Sequence, residues 1–128
     1  MSLNIVLIAG SSQVASQSAK VAHYLAGRLQ ALQLCATPKI IDLGRAPLPL
    51  WPAKDESGIW ADHGALLREA DALVVLSPEW HGMACPALKN LFVHAGYREL
   101  GHKPALLVGI SAGQGGTYPL SELRASSY

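Results

Sequence analysis

Apolar residues in this chain fall into short blocks, and each block leads into a stretch whose apolar positions recur with helical spacing. Leu3 to Ala9 is continuously apolar except for Asn4 and rich in β-branched side chains, the mark of a strand buried on both faces. Gly10 ends it. From Ser18 to Leu34 the stripe Val21, Ala22, Leu25, Ala26, Leu29 and Leu32 predicts a first helix. Lys39 to Leu43 reads as a second strand. The prolines of Ala46-Pro-Leu-Pro-Leu-Trp-Pro52 then forbid regular structure, because they remove donors and restrict their neighbours. Ile59, His63, Leu66, Leu67 and Ala70 lie on one side of a second helix, and Ala72 to Leu76 forms a third strand. Pro86 suits the first turn of a third helix, with Leu88, Leu91, Phe92 and Ala95 inward. Ala105 to Ile110 is a fourth strand, and a fourth helix begins near Tyr118-Pro119. Strand and helix alternate with no hairpin signal between them. That order predicts an α/β fold: a parallel sheet, helices on both faces and right-handed crossovers.

Composition narrows the class. The chain has 128 residues, 50% hydrophobic and 15% charged, which suits one core and excludes a disordered chain. A single domain over residues 1–128 is expected. Net charge is +1 and no basic run occurs, so neither nucleic acid nor a membrane surface is expected as a partner. No apolar stretch reaches the length of a membrane span. The first strand begins at Leu3, which leaves no room for a signal peptide. Cys35 and Cys85 are far apart and match no metal or redox spacing. These features point to a reduced, cytoplasmic protein.

The chemistry concentrates where strands end. Open α/β sheets bind ligands just beyond the carboxyl ends of their strands. After the first strand, Gly10-Ser-Ser-Gln-Val-Ala-Ser-Gln-Ser18 leads into a helix N-terminus, whose free N–H groups and positive dipole end suit a phosphate. Ser11, Ser12, Ser16 and Ser18 add hydroxyls, and Gln13 and Gln17 add amides. The spacing matches neither a Walker A loop nor a GxGxxG fingerprint, and a plain helix-capping role for Ser16 or Ser18 also accounts for a serine there. After the third strand come Ser77, Pro78, Glu79, Trp80, His81 and Gly82. Trp80 offers a large plane with one donor, though a core or interface position explains a tryptophan equally well. Gly82 permits a positive φ or close backbone approach. After the fourth strand, Ser111-Ala-Gly-Gln-Gly-Gly116 is either a flexible turn or backbone that passes close to something. Three such loops suggest one site with a phosphate at one end and a planar slot at the other. Flavin mononucleotide (FMN) fits that description, because its ring is large and flat.

With these residues in view, the chain resembles the NADPH-dependent FMN reductase family, a branch of the flavodoxin-like fold. Members carry a GSxRxxSxN-type loop after the first strand, matched by Gly10, Ser11, Gln13, Ser16 and Ser18. They carry a PEYNG- or PEYHG-like loop followed by LKN, matched by PEWHGMACPALKN from Pro78 to Asn90, and a glycine-rich loop leading into a helix, matched by SAGQGG and LSELR. The resemblance implies that Ser11, Gln13, Ser16, Gln17 and Ser18 hold the FMN phosphate. It implies that Pro78, Glu79, Trp80, His81 and Gly82 flank the isoalloxazine ring, and that Ser111, Gly113, Gly115 and Gly116 lie along its other side. It further implies an NAD(P)H-dependent oxidoreductase with NADPH or NADH as donor, a small-molecule electron acceptor, and a homodimer or homotetramer. The cofactor carries the chemistry, so no catalytic side chain and no metal ligand is assigned. Differences from the pattern are Gln13 in place of arginine, Ser18 in place of asparagine and Trp80 in place of tyrosine. The family also continues with a fifth strand and a last helix beyond the position of Tyr128. The implied architecture is therefore a three-layer α/β/α fold with sheet order 2-1-3-4, the fifth strand absent, an open edge at Ala105–Ile110 and marginal stability for the chain alone. The alternative is a flavin-binding or ligand-free module without turnover, or a truncated inactive product.

Overall fold

The structure is a computed structural model that describes residues 2–113 and 115–126. Gln114 of the expected third loop lies outside the described residues, as does Tyr128. The elements in chain order are β1 (Ile5–Ala9), α1 (Gln17–Ala31), β2 (Lys39–Asp42), α2 (Ile59–Glu69), β3 (Ala72–Pro78), α3 (Pro86–His94), α4 (Tyr97–Leu100), β4 (Ala105–Ile110) and α5 (Thr117–Ser126). The strands form one parallel sheet in the order β2-β1-β3-β4. This is the expected doubly wound, flavodoxin-like arrangement.

The continuous apolar strands are what a sheet covered on both faces requires. All of β1 is buried. Its alternate residues Val6 and Ile8 join Ile41, Leu43, Leu67, Leu73, Val75, Leu88, Leu91 and Leu123 in a core under α2, α3 and α5. Ile5, Leu7 and Ala9 face the other way and meet Val74, Leu76 and the Ala19–Ala22 side of α1. Burying each leucine-sized side chain contributes about 1.5–3 kcal/mol, so the two faces of β1 together anchor the domain. The α1 face is the thinner one. Val21, Leu25 and Leu29 of α1, and Val108 and Ile110 of β4, are only partly buried against it. Among the described residues β4 pairs with β3 alone, and Leu106 on this edge is 60% exposed. No charge or proline interrupts Ala105–Ile110, the usual means of blunting an edge.

Several boundaries differ from the sequence-based expectation. The α4 turn was not expected, since its residues are too few to show a stripe. It is held by Glu99, whose carboxylate accepts the Gly96 N–H at 2.7 Å and faces Arg68 at 3.4 Å. Lys103 reaches back to the Leu67 and Arg68 carbonyls at the end of α2, where a cation suits the helix dipole. Strand β3 runs on through Ser77 and Pro78. A proline is tolerated there because the N–H it lacks would lie on the β1 side, where the pairing has ended at Ala9 and Leu76. Helix α1 stops at Ala31 rather than Leu34, and Leu32 is 57% exposed instead of inward. The cause is a left-handed residue, Gln33, at φ 58°. Its N–H reaches Gln30 O and the Leu34 N–H reaches Leu29 O, at 3.0 and 3.2 Å. This is a Schellman ending with glutamine where glycine is favoured. Gln33→Gly is therefore expected to raise stability by about 0.5–1 kcal/mol, the strain relieved outweighing the added freedom of the unfolded chain. Urea unfolding checks this, with an unchanged slope and a higher midpoint.

Candidate functional site

The first loop leaves β1 at Gly10, whose N–H continues the ladder to Leu76 O at 2.9 Å. A Cβ on Gly10 would lie 2.6 Å from that same oxygen, so only glycine fits. Ser11 is buried, and its Oγ accepts the Gln13 N–H at 3.1 Å. Ala15 turns the chain at φ 54°. Ser16 is the N-cap of α1, with Oγ accepting the Ala19 N–H at 3.0 Å. The capping alternative is thus what the geometry shows for Ser16. Ser18 differs: it is 1% exposed, and its Oγ has no hydrogen-bond partner among the described residues. Gln13 and Gln17 are exposed. Gly44, which follows β2, supports the loop from below; a Cβ there would lie 2.1 Å from Gln13 O. Beside the loop is an open cleft of about 550 Å³, lined by Ser16, Lys20, His23, Asp42 and Arg45 among others.

The second loop is a tight hairpin, against the expectation that the chain has none. Trp80 and Met83 exchange backbone hydrogen bonds at 3.2 and 3.0 Å. His81 and Gly82 between them sit at φ 53° and 72°, a left-handed pair of the kind that closes two-residue turns. Histidine rather than asparagine in the first place hid the signal. Trp80 is partly buried against the core, while His81 and Gly82 are exposed. Glu79 turns toward the third loop. Its N–H donates to Ile110 O at 2.8 Å, a Cβ on Gly115 would meet its Oε2 at 3.2 Å, and its Oε1 is buried without a partner. In the third loop, Ser111 Oγ accepts the Gly113 N–H at 3.3 Å. Gly115 and Gly116 have φ of 129° and 93°. Gly116 lies against β4, where a Cβ on Gly109 would be 2.1 Å from its oxygen.

The three loops are therefore contiguous along the carboxyl edge of the sheet. Loops two and three meet at Glu79. Loops one and two meet at a buried joint that the sequence reading passed over. Cys85 donates its thiol to Gly10 O, and its N–H donates to Ser77 Oγ at 3.1 Å. Burial pushes the Cys85 thiol pKa up, against several lowering hydrogen bonds. Cys35 is the other free cysteine, also buried. Among the described residues no cluster suited to a metal ion occurs, and no helix is long and apolar enough to cross a membrane.

The profile of the NADPH-dependent FMN reductase family matches residues 3–126. The chain belongs to that family. It is 30% identical over 126 residues to an FMN-dependent NADPH-azoreductase of Staphylococcus saprophyticus, covering 93% of this chain and 66% of that protein. To the FMN-dependent NADPH-azoreductase of Staphylococcus haemolyticus it is 33% identical over 127 residues, with the same 93% and 66% covered. The chain thus spans about two thirds of the length of these relatives. Among solved structures, an apo NADH:FMN oxidoreductase (EMOB) superposes with a TM-score of 0.75 at 21% identity, covering 98% of this chain and 66% of that one.

As a member of the FMN reductase family the chain carries the LKN element, and the structure assigns its asparagine a supporting task. Asn90 donates to Pro49 O at 2.9 Å and Leu48 O at 3.5 Å, and accepts the Trp51 N–H at 2.9 Å. His94 donates to Pro49 O at 2.7 Å and His63 to Ala46 O at 3.1 Å. The proline-rich segment has few backbone partners, Ala46 N–H to Asp42 O and Ala53 N–H to Leu50 O among them, so side chains from α2 and α3 supply others. No periodicity announces such bonds, since their partners are 17 to 45 residues apart in sequence. Asn90→Ala is expected to destabilise the protein by about 1–3 kcal/mol by stranding these groups. The unfolding midpoint would fall, and the Trp51 N–H would lose its protection in hydrogen exchange.

Proposed function

We propose that this protein binds FMN across the three loops and serves as an NAD(P)H-dependent oxidoreductase, with NADPH or NADH as electron donor and a small-molecule electron acceptor. Family membership supports the reaction class. The observation that carries the site is the pair of buried, unpartnered oxygens, Ser18 Oγ and Glu79 Oε1, one in the first loop and one between the second and third. Buried polar groups ordinarily find partners, and a ligand with a phosphate at one end and a polar ring edge at the other supplies them. The residues present fit FMN. Ser11, Gln13, Ser16, Gln17 and Ser18 at the α1 N-terminus would hold the phosphate, with Lys20 and Arg45 in the adjoining cleft adding the positive charge that Gln13 lacks. Pro78, Glu79, Trp80, His81 and Gly82 would border the ring through a hairpin whose left-handed backbone leaves little freedom. Ser111, Gly113, Gly115 and Gly116 would pass along its other side. FMN would supply the redox chemistry; this chain's side chains and amides bind, orient and shield it.

The same reading extends to assembly and setting. An apolar groove between α3, α4 and β4 is lined by Phe92, Val93, Leu100, Leu106 and Leu107, and Leu50 and Trp51 stand 79% and 52% exposed on the braced proline segment. Exposed apolar groups of this kind suit an interaction site, and the partner we favour is a second copy, giving a homodimer or homotetramer in the cytoplasm. A net charge of +1 supports neither a nucleic-acid nor a membrane partner. Sedimentation at micromolar concentration is expected to show at least a dimer, and a lone monomer would contradict this assembly.

The site is tested by FMN titration. Ser18→Ala is expected to weaken FMN about ten-fold while leaving the stability of the apo-protein unchanged or slightly raised, because the hydroxyl has no partner to lose. Ser16→Ala is expected to lose both affinity and about 1 kcal/mol of stability, because it also removes the cap. Bound flavin should quench tryptophan emission, less so in Trp80→Phe, and NADPH with a quinone should bleach and restore the flavin colour. Equal FMN affinity in the wild type and Ser18→Ala would remove the phosphate from this loop.

A further inference from the structure

We propose that Cys85 is a positioning residue for the first loop: its thiol holds the Gly10 carbonyl and thereby aims the Ser11 amide into the group of donors that receives the cofactor phosphate. The proposal rests on the FMN reading above.

Cys85 is fully buried and stands at the N-cap of α3, where serine, threonine or aspartate would normally serve the helix. It makes no capping bond. Its thiol instead crosses 75 positions of sequence to Gly10 O, while its N–H is fixed to Ser77 Oγ at 3.1 Å and that hydroxyl in turn donates to Pro78 O at 3.1 Å. One residue thus joins the ends of β1 and β3, from which the first and second loops depart. Gly10 has no freedom to compensate. Its N–H is committed to Leu76 O, and a Cβ there would sit 3.2 Å from Cys85 Sγ and from Leu88 Cβ.

The peptide that follows is trans, since the Trp51–Pro52 bond is the cis one. In a trans peptide the C=O and the next N–H point in opposite directions. With the Gly10 carbonyl drawn inward by the thiol, the Ser11 N–H is turned outward along the loop. Ser11 is 1% exposed, yet that N–H bonds to no described residue. Ser18, equally buried, offers its unpartnered Oγ from the first turn of α1. Unfilled buried donors within one loop point to a ligand that fills them. Burial keeps the sulfur in its protonated, donating form.

Two substitutions separate this role from simple filling of space. Cys85→Val has no donor and one more heavy atom than cysteine, and its branched side chain suits the extended backbone at this position (φ −74°, ψ 143°). Cys85→Ser keeps a donor but leaves a gap. If the thiol positions the loop, Cys85→Val should weaken FMN about three- to ten-fold, the scale of one modest hydrogen bond. Cys85→Ser should stay within about two-fold of wild type even though its urea midpoint falls. Equal FMN affinity in Cys85→Val and wild type overturns the proposal, as does a loss that follows stability across both variants. Cys85→Ala, which lacks the donor without the added bulk, should show the same loss, and an affinity in Cys85→Ala equal to that of wild type also overturns the proposal. In the wild type the Ser11 amide proton must shift on FMN binding, and no shift overturns the proposal whatever the variants do. A wild type that binds no FMN removes the FMN reading and this proposal together, whereas a wild type that binds FMN with Cys85→Val unchanged removes the proposal alone.

Discussion

Backbone buried at the end of a central strand must still satisfy its polar groups, and the loops of this protein depend on how that is done where β1 and β3 end side by side. Beyond the last ladder bond there is no further strand to pair with. Gly10 fits because it has no side chain, Ser77 turns its hydroxyl into the gap, and Cys85 supplies both an N–H and a thiol. The joint sets the direction in which the first loop departs and the depth at which α3 begins. Everything placed on those loops inherits its position from this small buried network.

The loops are shaped by backbone conformation more than by side-chain chemistry. Ala15, His81, Gly82, Gly115 and Gly116 all have positive φ, which holds amides in directions an ordinary strand or helix does not offer. Such loops stay rigid only if the neighbouring backbone packs closely. Gly44 against Gln13 and Gly109 against Gly116 meet that need, since neither position leaves room for a Cβ. The proline-rich segment is braced differently, by Asn90, His63 and His94 reaching across to its carbonyls. A rigid, pre-shaped rim of this kind lowers the ordering cost of binding.

The two faces of the sheet are unequal. The side under α2, α3 and α5 holds the larger core, while among the described residues α1 covers the other and leaves Val108 and Ile110 half-buried. Among the described residues the outer edge of β4 is unpaired, and Leu106 on it is exposed. Apolar surface and an open edge thus lie on one flank among the described residues, apart from the three loops along the carboxyl end of the sheet.

The order of elements, the parallel sheet and the three loops at the candidate site are legible in the residues alone. These follow from local signals: runs such as Leu73–Leu76, the stripe of α1, glycines at strand ends and Pro86 at a helix start. The motif PEWHGMACPALKN likewise carries the family resemblance. The rest depends on contacts between distant positions, which the closed fold supplies. That fold made Ser16 a cap and left Ser18 unpartnered, though both are serines in one loop. It folded His81-Gly82 into a hairpin, ended α1 at a left-handed Gln33 that no stripe foretells, and seated Trp80 partly in the core. It also brought Cys85 to Gly10 and Asn90 to Pro49. Periodicity reports which way a side chain faces, whereas a hydrogen bond across the fold depends on the separation and angle of two atoms, and those exist only once the chain has closed on itself.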